Sequence, residues 1–300
     1  MMRIIATLML ASLLHATVFS QQSDTTDLMA QLEKEAAEKY PVNYTTATFK
    51  TTRLINGHTV ENVGKGVLDV RISHRFGTLN RGAYELFGLD NATMRLGLDY
   101  GITRDLMVGI GRSTFQKTFD GFVKMKLLKQ STGKKNMPVT VSYVGTIALN
   151  STRWADPARR NFFSSRLSYT HQLLIGRKFS ESTSLQIMPT LIHRNLATYA
   201  SERNTLYAIG IGGRQKLTKR ISFNVEYYYQ LPDFKVAGTT NPLSVGFDIE
   251  TGGHVFQLHF TNTTGMTERN FITGTTGKWE KGDVLFGFNI SRVFTIGKSR

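Results

Sequence analysis

Two histidines, His171 and His193, share one parity of neighbouring strand-like runs, and counting across the 180–182 turn places them diagonal to each other, within reach of a common ligand. A metal needs at least a third ligand and outer partners that orient the rings, and the surrounding sequence offers neither, so no metal and no cofactor is expected. His74 and His254 read the same way, as interface residues of a sheet. A serine hydrolase needs Ser, His and an orienting Asn or Asp on one face. Ser73 directly precedes His74, and adjacent strand residues point to opposite faces. Gly109-x-Gly111 and Gly210-x-Gly212-Gly213 have the spacing of phosphate loops but lie inside strands, where glycine serves bending or close packing. With no cysteine there is no thiol chemistry, no disulfide and no lipoprotein anchor. The residue chemistry does not describe an enzyme.

What the sequence does place together is charge. Arg71, Arg75, Arg95, Lys124, Lys126, Arg166 and Arg214 fall on the polar parity of their runs, with Asp69, Asp99, Glu226, Asp248 and Glu250 beside them. Two readings follow. Interlocking ion pairs fill a small lumen, or the charges line a polar pore with a mild anion preference, since rings of charge set selectivity.

The elements that must carry these residues are about twelve strands between Gly66 and Ile296, each with apolar residues at every second position. Leu68, Val70, Ile72, His74 and Phe76 oppose Asp69, Arg71, Ser73 and Arg75; Met94, Leu96, Leu98 and Tyr100 oppose Arg95 and Asp99. Short connections at 102–104, 180–182, 217–220 and 251–253 alternate with long ones at 77–91, 150–161, 195–204, 231–242 and 262–282. Tight turns on one rim and long loops on the other mark a transmembrane, antiparallel, up-and-down β-barrel. A soluble all-β sandwich would need neither the alternation nor strands this long. In lipid every backbone N–H and C=O must find a partner, which forces the sheet to close.

Residues 1–20 read as a signal peptide: Arg3, an apolar run from Ile4 to Leu14, then Val18-Phe19-Ser20 before Gln21. The expected location is therefore the outer membrane, with its lipid as partner. Residues 21–65 form a periplasmic segment: an acidic helical stretch over 24–40 ended by Pro41, then a Thr-rich extended stretch with Asn56-Gly57 as a turn signal. Thr45 to Ile55 fits an extra strand, an extended leader or a lumen plug. Residues 66–300 are the barrel.

The formal net charge of +15 invites a nucleic-acid reading, which export excludes. Much of the surplus falls on the short turns and their flanks: Arg104, Lys129, Lys134, Lys135, Arg177, Lys178, Lys216, Lys219 and Arg220. This periplasmic basic rim is either simply solvated or a dock for something acidic, a periplasmic partner or the chain's own 24–39 helix.

Several runs carry a family resemblance: RISHRFG at 71–77, LDYGITRDLMVGIGRS at 98–113, LSYTHQLLIGRKF at 167–179, MPTLIHRN at 188–195, IGGRQKLTKR at 211–220, ETGGHVFQLHFTNTTGMTERNF at 250–271 and GFNISRVF at 287–294. They resemble a family of exported β-barrel proteins from Bacteroidota of unknown function, across nearly all of 40–296. The resemblance implies an outer-membrane barrel and assigns no activity to any residue. The expected function is a porin-like channel for small polar or anionic solutes. The alternative is a non-conducting barrel that docks or assembles an envelope complex, with a membrane-embedded hydrolase a distant third.

Overall fold

The computed structural model describes Met29, Leu32, residues 41–197 and residues 201–296. The signal-peptide segment lies outside the described residues, as does the acidic stretch 24–40 apart from Met29 and Leu32, which are helical and exposed. Asn43–Tyr44 pairs antiparallel with Ser131–Thr132, and this pair belongs to a small unit separate from the barrel.

Twelve strands close into one antiparallel barrel, each paired with its neighbours in sequence. They are β1 Val67–Thr78, β2 Ala92–Gly101, β3 Leu106–Ser113, β4 Phe119–Leu128, β5 Thr140–Leu149, β6 Leu167–Lys178, β7 Thr183–Arg194, β8 Thr205–Lys216, β9 Ile221–Gln230, β10 Leu243–Thr251, β11 His254–Thr261 and β12 Leu285–Thr295. Closure joins β12 to β1, with Ile290 opposite Ile72 and Phe294 opposite Leu68. The period-2 pattern decides the faces: Asp69, Arg71, Ser73 and Arg75 point inward and are buried, while Ile72, Met94, Leu96 and Leu98 stand exposed on the outer surface. Among the described residues no helix is long and apolar enough to cross a membrane; the strands do the crossing.

The expected alternation of connections has two exceptions. Residues 114–118, between β3 and β4, make a short link on the long-loop rim, and 129–139, between β4 and β5, make a long one on the short-turn rim. Pattern fixes strands better than it fixes the lengths between them, because loop closure costs little per added residue.

The inner face differs from the sequence expectation in one respect. On β5 to β9 it carries an apolar sector: Val144, Leu174, Met188, Ile192, Leu206, Ala208 and Tyr228 are buried in one cluster. A polar lumen open to water would not hold these side chains, and something must cover them.

Candidate functional site: an occupied lumen

The cover is the chain's own Thr-rich segment. Of the three readings open to residues 45–55, the lumen plug is the one adopted. Leu54 donates its N–H to the Gly57 carbonyl at 2.8 Å and Thr59 donates to the Thr52 carbonyl at 3.0 Å. With the antiparallel bridge between Arg53 and His58, these bonds make a hairpin that turns at Asn56-Gly57. Every residue from Thr52 to Val60 is buried, as are Thr48 and Phe49. Phe49, Leu54 and Val60 join the apolar sector, each worth about 1.5–3 kcal/mol of burial relative to exposure.

A plug inside a barrel must also satisfy its backbone, and wall side chains supply partners, Ser142 on β5 and Arg214 on β8 among them. The Glu226 carboxylate on β9 accepts the N–H groups of Ile55, Asn56 and Gly57 at 3.2, 3.2 and 2.9 Å. The Lys124 ammonium on β4 donates to the carbonyls of Thr52, Thr59 and Glu61 at 3.2, 3.2 and 2.5 Å. Gln186 on β7 accepts from the Val60 N–H at 2.9 Å and donates to the His58 carbonyl at 2.8 Å. Gln257 on β11 and Asn289 on β12 donate to the carbonyls of Leu54 and Ile55 at 2.5 and 3.0 Å.

From the long-loop rim a second element descends. In the connection between β11 and β12, helix α1 Glu268–Thr273 is almost wholly buried, with Phe271 and Ile272 in the core cluster. Glu268 meets Arg53 of the hairpin at 2.7 Å, both side chains nearly inaccessible. Breaking such a buried pair costs about 3–5 kcal/mol, because it strands one charge.

Most of the expected lumen-lining charges do face inward, but they hold each other or the hairpin rather than an open passage. Arg71 donates to Asp69 at 3.1 Å and to the Thr52 hydroxyl at 2.9 Å. Arg75 reaches Asn56 Oδ1 at 2.9 Å and Asn289 Oδ1 at 3.2 Å. Arg95 grips Asp120 through two bonds of 2.9 and 2.5 Å. Asp99 accepts the Thr52 hydroxyl at 3.4 Å, and Asp248 accepts from Gln257 at 2.6 Å. Lys126 lies 3.9 Å from Glu61, Arg214 donates toward the Ala47 and Thr48 carbonyls, and Glu250 pairs with Lys50 at 2.5 Å near the short-turn rim.

Arg166 is a correction. It precedes β6, donates to the Asn150 and Thr152 carbonyls at 2.8 and 2.5 Å and stacks 3.8 Å from the Trp154 ring centre, so it pins a loop and lines no lumen. Its parity was right, but the strand ends before reaching it. Asp120, Gln186, Gln257, Asn289 and Glu268 were missed by sequence reasoning. The first four sit on inward parity amid apolar neighbours, which is the signal that could have found them.

On the basic rim, Lys129 pairs with Asp105 at 2.7 Å and Lys178 with Glu181 at 3.0 Å. The hydrogen bond and charge of Lys178 hold the Glu181 carboxyl below its usual range. Arg177 faces outward over the Phe179 ring, 5.0 Å from its centre. Arg104, Lys219 and Arg220 are exposed and Lys216 is half-buried, while Lys134 and Lys135 are exposed within the small unit. His171 and His193 do not converge: His171 bonds the Tyr143 hydroxyl at 2.6 Å and His193 the Thr205 hydroxyl at 2.9 Å. Among the described residues no cluster of three metal-ligating side chains occurs.

The sequence profile of a family described as "Membrane bound beta barrel domain (DUF5777)" matches residues 49–294, from just before the hairpin through nearly all of β12. The chain belongs to that family. Among curated proteins no sequence matches. Solved structures with a similar fold include the NanC porin (11% identity, 75% of this chain and 98% of that one, TM-score 0.48) and the KdgM porin (10% identity, 76% and 99%, TM-score 0.46). An outer membrane channel from Pseudomonas putida F1 is similar at 12% identity, over 78% and 98% of the two chains, with a TM-score of 0.47.

Proposed function

We propose that this membrane-bound barrel is a gated outer-membrane channel, closed at rest by its own hairpin and conducting small polar or anionic solutes once the hairpin withdraws. The observation that carries this reading is the hairpin itself. Residues 52–60 fill the barrel, yet wall side chains hold them by hydrogen bonds rather than by continuous strand pairing. A segment bound this way leaves without unzipping the wall. It also enters from the short-turn rim, which in an outer-membrane barrel is the periplasmic one.

Withdrawal uncovers charge of both signs. Arg71–Asp69 and Arg95–Asp120 remain paired within the wall. Lys124 loses three carbonyl partners and Arg75 loses Asn56, while on the acidic side Glu226 loses its three amides. Glu268 also loses Arg53 and Asp99 loses the Thr52 hydroxyl, so the uncovered charges are mixed in sign, and a mixed lining suits small polar solutes.

Planar-bilayer recording tests the reading. The native chain should stay mostly silent, and a Glu226→Gln/Lys124→Gln chain should give discrete steps. A folded barrel that conducts in neither form would overturn it and favour the non-conducting docking role. Steps of equal size and frequency in both would also contradict it.

A further inference from the structure

The hairpin turns on Asn56-Gly57, the one Asn-Gly pair in the chain. Its backbone does not explain the glycine, since neither residue has a positive φ. Packing does: a Cβ at position 57 would collide with the Tyr228 hydroxyl and lie 3.3 Å from Glu226 Oε2. The wall therefore sets a residue with no side chain directly after an asparagine. That pairing has its own chemistry, because nothing on the glycine shields its nitrogen from the asparagine side-chain carbonyl.

Seated, the pair is restrained from that reaction. The Gly57 N–H donates to Glu226 Oε2 at 2.9 Å. Asn56 Oδ1 accepts from Arg75 at 2.9 Å, and Asn56 Nδ2 donates to Ser244 Oγ at 3.0 Å. The side-chain amide is thus pinned to β1 and β10 at once, and its Cγ is not free to swing onto the Gly57 nitrogen. Asn56 is 3% exposed, which keeps out the water the reaction consumes. Withdrawal of the hairpin removes all of these restraints together and wets the turn.

We propose that Asn56 is a self-modifying site, which converts to aspartate or isoaspartate when the hairpin withdraws and so latches the channel open. This rests on the gated reading above. In the withdrawn hairpin the Gly57 nitrogen attacks Asn56 Cγ. The N–Cγ bond forms, the Cγ–Nδ2 bond breaks, and the Gly57 proton leaves with the side-chain nitrogen as ammonia. Water then opens the cyclic imide at either carbonyl, and no oxidant or reductant takes part. Opening at the α-carbonyl routes the main chain through the side chain and adds one methylene before Gly57. The N–H groups of residues 56 and 57, which the Glu226 carboxylate accepts together, then no longer converge on it.

The test keeps the full chain, refolded in phosphatidylcholine vesicles, at mildly alkaline pH in heavy-oxygen water, which marks each carboxylate as it forms. Mass spectrometry then reads the peptide that contains Asn56. Chain denatured in urea sets the rate of the unrestrained pair, and the native chain should convert far more slowly. Leu54→Ala removes a hairpin anchor without altering the wall or the Asn-Gly pair. It should raise conversion by about tenfold or more, the effect of one buried leucine. Gly212→Val, which pushes on Leu54 from β8, should act the same way. Alkylation of Val60→Cys by a charged thiol reagent, measured in the same backgrounds, should rise by the same factor, because both rates follow the withdrawn population. Faster alkylation without faster conversion would overturn this proposal and leave the gate standing, while no rise in either would overturn both. Native conversion as fast as in urea would also overturn it. Chain converted in urea and then refolded should be alkylated at Val60→Cys faster than unconverted chain, and equal rates would overturn the latch.

Discussion

Replacing Glu226 with Gln should release the hairpin without disturbing the wall. The carboxylate accepts three N–H groups, from Ile55, Asn56 and Gly57, at 3.2, 3.2 and 2.9 Å. Hydrogen bonds to a charged acceptor contribute about 1.5–3 kcal/mol each. Glutamine keeps the shape, and with its amide oxygen at the Oε2 position it retains the bonds from Ile55 and Gly57. What is lost is the Asn56 bond to Oε1, where an NH2 now faces a donor, and the charge that strengthens the other two. The withdrawn hairpin regains water on its amides, which offsets roughly half of that gross loss. The net penalty is about 2–3 kcal/mol of docking free energy, or about 30- to 150-fold in the withdrawn population. The assay is alkylation of a Val60→Cys chain by a charged thiol reagent, because Val60 is inaccessible while the hairpin is seated. The rate should rise by that factor in the Glu226→Gln background, with the heat-modifiable band of the folded barrel unchanged. An unchanged alkylation rate would refute the claim that this carboxylate holds the turn.

Other expectations follow from the same contacts. Gly212 sits against Leu54 of the hairpin, where an added Cβ would collide with the leucine methyl. Gly212→Val should therefore raise Val60→Cys alkylation about tenfold, in line with an overpacking cost of about 1–3 kcal/mol. Asp120→Asn breaks the buried pair with Arg95, and the loss of about 3–5 kcal/mol should lower the unfolding temperature seen by gel migration. The lowered pKa of Glu181 means that its contact with Lys178 is complete above the ordinary carboxyl range and is lost as pH falls through the lowered value. This pair is fully solvent-exposed on the glutamate side, so Glu181→Gln should leave the unfolding temperature unchanged, as measured by the same gel across that pH range.

The wall was legible because lipid enforces alternation: a one-residue slip would put Arg71 and Arg95 into hydrocarbon, so the period-2 pattern leaves one choice. The contents of the lumen were less legible. The Thr-rich stretch 45–55 carries no apolar period because its partners are Glu226, Lys124, Gln257 and Asn289, scattered over the rest of the chain. Only the Asn56-Gly57 turn signal pointed to a hairpin. Inward Leu174, Met188 and Tyr228 look no different in sequence from lipid-facing residues, and only the closed barrel shows that they need a cover. Arg166 was misplaced because parity continues past the end of a strand while the strand itself does not.

The most direct test of the closed-lumen account uses a reversible lock. A Cβ added at Gly176 lies 3.0 Å from both γ-carbons of Val60, about the separation a disulfide sets between one Cβ and the far sulfur. Val60→Cys/Gly176→Cys in the Glu226→Gln background therefore ties the hairpin to the wall in an otherwise cysteine-free chain. In a planar bilayer, the oxidised protein should be silent and the reduced protein should show discrete steps, with reoxidation silencing it again. Conductance that ignores the state of this disulfide would contradict the account.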